Sequence, residues 1–134
     1  MSTREMVEKL LSHIGNGRAD LASAMFAEVI DFDIPHHDDV WWIPVVRTRV
    51  EFESFLSGLG AELETIRFEI DEITVTGPDA IITGELEDRV IRTGRSFVSR
   101  FSLTVHVESG EFTRYRFIED TAAVHAAASS KDRH

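Results

Sequence analysis

From Leu63 onward the chain is almost entirely strand-forming, and its strand segments follow one another with only tight turns between them. Leu63 to Thr76 is one long run, closed by the turn signal Gly77-Pro78-Asp79. Ala80 to Thr93 follows, then Gly94-Arg95, then Ser96 to Val107. Glu108-Ser109-Gly110 turns the chain once more, and Glu111 to Ile118 is the last strand. Neighbours joined this tightly pair antiparallel, because parallel pairing needs a long crossover. The constraint is therefore a four-strand meander. Within its first strand the apolar phase moves from Ile66/Phe68/Ile70 to Ile73/Val75. Such a shift predicts a bulge, and bulges bend sheets.

What precedes the meander is mostly helical. Met6, Val7, Leu10, Leu11 and Ile14 recur at helical spacing over Thr3 to Ile14, with Thr3 as N-cap and Gly15-Asn16-Gly17 as the stop. A second helix carries Leu21, Ala22, Met25 and Phe26 on one face. Val29 to Ile34 alternates as a short strand that ends at Pro35. His36 to Val46 is a loop containing both tryptophans, and Thr48 with Glu51 forms a capping box that opens a third helix. Its apolar stripe is Phe52, Phe55, Leu56 and Leu59. Asp120-Thr121 caps a short alanine-rich helix reaching about Ala128. The expected architecture is α+β: a cone-shaped, curved antiparallel sheet with N-terminal helices packed on its concave face, enclosing a pocket. Residues 1–128 read as one domain and 129–134 as a flexible C-terminal tail.

Composition removes several function classes. The chain has 134 residues, 43% of them hydrophobic, enough to bury a core without disulfides or metal. With no cysteine, a thiol nucleophile and a thiolate metal site are excluded, and a cytoplasmic location fits. The net charge of −10, from 24 acids and 14 bases, opposes nucleic-acid binding, since acids are interleaved with the densest arginine stretches. The longest apolar runs, such as Val40 to Val46, fall far short of the roughly 20 residues a membrane span needs. His36-His37-Asp38-Asp39 invites a metal reading, but consecutive extended residues point in opposite directions and do not converge on one ion. No metal and no cofactor is expected.

Three strings resemble one known superfamily. Asn16 to Leu21 with Met25-Phe26-Ala27 is similar to the passage from helix 1 to helix 2 of nuclear transport factor 2-like proteins. Pro44 to Leu56 resembles their entry into helix 3. Gly94 to Phe97 together with Gly110 to Asp120 is similar to the last hairpin of SnoaL-like proteins and limonene epoxide hydrolases. The resemblance covers about residues 5 to 126 and implies a small-molecule pocket inside the cone. It also implies a homodimer, formed in many relatives through the outer face of the sheet.

The catalytic groups of those relatives are largely replaced. Ketosteroid isomerases use a carboxylate base with a tyrosine and a protonated aspartic acid; Ile34, Leu10 and Leu103 align there. The epoxide hydrolases use an aspartate–arginine–aspartate unit with a tyrosine and an asparagine. Arg89 aligns with the arginine, Ile91 and Phe117 with the aspartates, and Phe32 and Ile34 with the other two. A register slip of one residue would instead present Asp33 or Asp88 to the pocket.

The candidate catalytic set is Arg89, Tyr115, His36 and Glu87. An inward Arg89 needs an anion, either Glu85 or Glu87 on its own strand face or a ligand carboxylate, phenolate or enolate; an outward Arg89 is a surface residue. Tyr115 can donate to a ligand oxygen or act as a general acid, and it can equally be a core aromatic. His36 can work at the pocket mouth. The expected ligand-binding wall is Phe32, Ile34, Trp41, Trp42, Phe101, Leu103 and Phe117, with the tryptophans as a lid. This wall suits a small hydrophobic or aromatic partner. The leading function is binding of such a molecule. The alternatives are a lyase, isomerase, cyclase or epoxide-hydrolase-like enzyme on a polyketide- or terpenoid-like substrate, and a dimeric interaction module without catalysis.

Overall fold

A computed structural model describes residues 1–129 of the chain, so the expected tail beyond Ser129 lies outside the described residues. The elements run α1 (Thr3–Gly15), α2 (Ala19–Ser23), β1 (Phe26–Asp33), α3 (Arg49–Leu59), β2 (Leu63–Thr76), β3 (Asp79–Val90), β4 (Ser96–Glu108), β5 (Glu111–Glu119) and α4 (Thr121–Ala128). The five strands form one curved sheet in the order β1-β5-β4-β3-β2. The meander β2 to β5 is antiparallel throughout. β1 joins the β5 edge in parallel, reached from the meander by a long crossover through α3.

Two bulges bend β2. Its pairing with β3 shifts between Thr65 and Arg67, and again between Ile70 and Glu72. At the second shift β3 carries Gly84, and the space for a side chain is already taken. A Cβ built there would lie 2.0 Å from the Glu69 carbonyl oxygen and 2.8 Å from the Phe101 ring. Only glycine lets the bent β2 backbone and the Phe101 ring approach β3 this closely. The β4–β5 hairpin uses a tight turn in which Ser109 and Gly110 both have positive φ, the twist that matches adjoining strands.

Helix ends are set by local chemistry. Ser2, not Thr3, caps α1: its hydroxyl accepts from the Glu5 amide while the Glu5 carboxylate accepts from the Ser2 amide. Thr3 is thereby released to donate to the Gly77 carbonyl at 2.9 Å, which ties α1 to the β2–β3 turn. The Thr48–Glu51 box caps α3 and the Asp120 side chain caps α4. α2 is shorter than its apolar face suggests. Phe26 belongs to β1, where its ring packs 4.5 Å from Phe52 and 5.2 Å from Phe112. Tertiary burial of a large ring here overrides the helical spacing. This aromatic core joins β1, α3 and β5 behind the concave surface.

The strand faces divide cleanly. On β3, Ala80, Ile82, Leu86 and Val90 are buried while Ile81, Glu85, Glu87 and Arg89 lie on the outer face. That face is laced with ion pairs: Arg67 to Glu85 at 2.9 Å, Arg89 to Glu64 at 2.7 Å, Arg116 to Asp31 at 2.9 Å, and Arg100 to Asp71. Among the described residues no helix is long and apolar enough to cross a membrane.

Two outcomes test this account of the bend and the caps. Gly84→Ala loses at least about 2 kcal/mol, the cost of overpacking a site that cannot relax outward. Thr48→Ala loses about 1 kcal/mol. Urea unfolding of both variants measures the difference, and a Gly84→Ala protein as stable as the parent would contradict the contact.

Candidate functional site

Between the concave face and the helices lies a cavity of about 440 Å³. α1 contributes Leu11 and Ile14, and α3 contributes Phe55, Leu56 and Leu59. The sheet contributes Thr65, Phe68, Ile70, Leu86, Asp88, Phe101, Leu103, Tyr115, Phe117 and Glu119, while Ile34, Trp42 and Ile43 come from the end of β1 and the following loop. Phe68 and Ile70 are 47% and 41% exposed and mark its mouth. Phe68 stacks on Phe101 with ring centroids 4.9 Å apart, and Phe101 on Phe117 at 5.4 Å.

The polar groups in this wall are few. Among the described residues, Asp88 and Glu119 are its only carboxylic acids, and no lysine, arginine or histidine lines it. Burial pushes the Asp88 carboxyl up to about 6, partly offset by a hydrogen bond from the Thr65 side chain. Burial, with the negative charge of Asp88 added, pushes Glu119 up to about 7. Tyr115 is 7% exposed, and burial followed by the charge of Glu119 raises its hydroxyl well above the ordinary phenol range. Tyr115 also stacks on Phe32, their rings 5.6 Å apart and nearly parallel, which fixes the direction of its hydroxyl. That hydroxyl has no hydrogen-bond partner among the described residues.

The placement of the expected residues is mixed. Ile34, Trp42, Phe101, Leu103, Phe117 and Tyr115 line the cavity. Phe32 does not; it sits behind Tyr115, edge-on to Phe55 at 5.5 Å. Trp41 does not either. Its indole donates to Glu62 at 2.8 Å and lies under the Arg92 guanidinium at 4.2 Å, so it pins the loop from outside. Arg89 and Glu87 are on the outer face, Arg89 held by Glu64 and Glu87 beside Arg67. An arginine left inside would be a buried charge without a partner, whereas outside it has one and keeps its hydration. His36 is exposed. Its ring contacts the Ile34 carbonyl at 2.6 Å and lines a separate shallow groove along β1, together with Asp33. Among the described residues no cluster of histidines and acids has the arrangement to hold a metal ion.

Asp88 is the inward residue that a register slip of one position offers, and Glu119 is a lining residue outside the expected set. Alternation along β3 carried the signal, because Asp88 shares its phase with the apolar Leu86 and Val90. Glu119 follows Tyr115 and Phe117 at the strand period, one residue past the expected end of the strand.

With this geometry in place, comparison with known proteins defines the class. The fold is that of nuclear transport factor 2-like proteins. One such protein from Burkholderia xenovorans superposes with a TM-score of 0.85 at 22% identity, covering 96% of this chain and 98% of that one. TerC, crystallised together with polyporic acid, superposes at 0.79 with 16% identity, covering 94% and 97%. A SnoaL-like protein from Mesorhizobium loti, assigned as a polyketide cyclase, superposes at 0.71 with 14% identity, covering 87% and 98%. The chain belongs to the SnoaL-like domain family, whose model matches residues 7–115. No curated protein matches it by sequence.

The raised carboxyls imply a pH signature with a definite sign. Each binds its proton more tightly folded than unfolded, so the folded chain holds more protons between the ordinary carboxylate range and about pH 7. Their contribution to stability is therefore greatest in acid and is lost as pH rises through that window. Asp88→Asn and Glu119→Gln each raise Tm at pH 8 by roughly 3 °C or more, and leave it near that of the parent at pH 4. Thermal melts across this range check it; equal gains at both pH values would contradict it.

Proposed function

We propose that the cavity binds a small, mostly apolar molecule and that Asp88 and Glu119 exchange a proton with it, as in an isomerase or cyclase. The observation that carries this reading is a pair of carboxyls, held up at about 6 and about 7, facing a tyrosine hydroxyl in an otherwise apolar hollow. Near neutral pH such a pair exists partly as acid and partly as base, the condition under which general acid–base catalysis is most effective. Three other features support it. The aromatic walls give an apolar body a place to pack. Tyr115, too weakly acidic to ionise, serves as a neutral hydrogen-bond donor rather than as a proton carrier. Structural relatives include proteins assigned as a polyketide cyclase and as isomerases.

The roles expected of Arg89, Glu87 and His36 pass to Asp88 and Glu119. A reaction that needed an arginine to hold an anionic intermediate finds no such residue among the described ones, since none of their bases lines the cavity. An uncharged enol or a cationic intermediate is the species this wall stabilises.

The test is deuterium uptake from D2O by a panel of apolar ketones and enones, followed by NMR at pH 6 to 8. Uptake with at least one compound is expected. Glu119→Gln and Asp88→Asn each reduce it by about 100-fold or more, the usual weight of one acid–base group, and Tyr115→Phe reduces it less. Thermal stabilisation by the panel without exchange would leave binding and remove catalysis. Neither effect with any compound would remove both.

A homodimer across the outer sheet face is proposed alongside. Ile81, Val98 and Ile118 are 45%, 49% and 51% exposed on that face. Light scattering at micromolar concentration gives twice the chain mass if this holds.

A further inference from the structure

We infer that the ligand carries a cationic amine end beside its apolar body, and that the cavity selects against anions. This rests on the proposed use of the cavity as the binding site and names the ligand class. Among the described residues no positive charge lines the cavity, and its carboxyls and hydroxyls, those of Asp88, Glu119, Tyr115 and Thr65, can all accept from a ligand. From α1, α3 and β4 no titratable group faces these carboxyls. The nearby arginines, Arg67 and Arg89, are engaged on the opposite face of the sheet by Glu85 and Glu64.

Two observations independent of each other converge. Two acids occupy one hollow with no cation among the described residues that line it, an arrangement that costs solvation energy whenever either is ionised. A tyrosine more than nine-tenths buried, its hydroxyl without a hydrogen-bond partner among the described residues, lines the same space. A protonated amine supplies the missing charge and gives the tyrosine oxygen a donor. Its N–H groups donate to the two carboxylates, and the tyrosine oxygen accepts a third. The stacked rings of Phe68, Phe101 and Phe117 receive the apolar body and add attraction for a nearby cation. A ligand carboxylate would place a third negative charge among groups that already repel one another.

Three probes of one skeleton separate the possibilities: phenylbutylamine, phenylbutanol and phenylbutyrate, titrated by calorimetry at pH 8 and pH 5. At pH 8 the amine binds about tenfold or more tighter than the alcohol, and the acid binds weakest. At pH 5, where both carboxyls are protonated, the advantage of the amine disappears. In the Asp88→Asn/Glu119→Gln double variant it is absent at either pH, while Arg89→Ala leaves all three affinities as they were. If the acid matches the amine, or if the amine keeps its advantage at pH 5 and in the double variant, the charge preference is wrong and the cavity remains a binding site. If none of the three binds, the binding-site reading fails and this inference fails with it.

Discussion

Everything that distinguishes this chain depends on a near-collision at Gly84. There the β2 backbone, bulged beside Glu69 and Ile70, folds against β3 where a side chain would otherwise stand. The Phe101 ring fills the space on the next strand and is stacked between Phe68 and Phe117. A sheet pinned this closely cannot lie flat, and a bent sheet cannot be covered by α1 and α3 without leaving a hollow. The cavity is thus the residue of a packing constraint: strongly curved strands and straight helices do not nest to full density.

The hollow then governs the chemistry. On the outer face, acids meet arginines and water, and their charges are held cheaply. On the inner face, Asp88 and Glu119 have no arginine beside them among the described residues; burial shifts both toward the neutral range, and the charge of Asp88 adds to the shift of Glu119. The same strand supplies both environments by simple alternation. Glu87 and Arg89 point outward to partners while Asp88 between them points into an oily space. Holding two such groups inside costs stability above neutral pH, a cost that packing alone gives no reason to bear. Trp41 and the stacked His37 and His125 rings, 4.4 Å apart, anchor the covering loop from outside the hollow. The inner wall is left to Trp42.

Much of the fold was legible because it is written in local chemistry. The phase change between Ile70 and Ile73 located a bulge that the pairing of β2 with β3 contains. The Thr48–Glu51 box and the Asp120 cap marked helix starts correctly, because a side chain within three residues satisfies each exposed amide. The cap of α1 was misplaced by one residue, since Ser2 and Thr3 carry equivalent hydroxyls and docking onto the Gly77 carbonyl decides between them. Phe26 was assigned to a helix face because helical spacing competes with a core that no local pattern reveals. In the site, Ile34, Phe101, Leu103 and Phe117 were legible from alternation. An inward Arg89 rested on alignment with relatives, and Glu87 followed it by the strand period, a placement that a shift of one residue reverses.

By itself the sequence determined the order of elements, the bend in the first meander strand and the greasy character of one strand face. Those follow from side-chain periodicity and turn chemistry, which act over a few residues. Only the tertiary structure decided that β1 runs parallel to β5, that Arg89 finds Glu64 outside the cone, and that Asp88 and Glu119 share one hollow with Tyr115. Asp88 and Glu119 are 31 positions apart in a chain whose local patterns carry no information on distant contacts. Their coupling arises where curvature closes the sheet, because a charge responds to what surrounds it in space and not to its neighbours along the backbone.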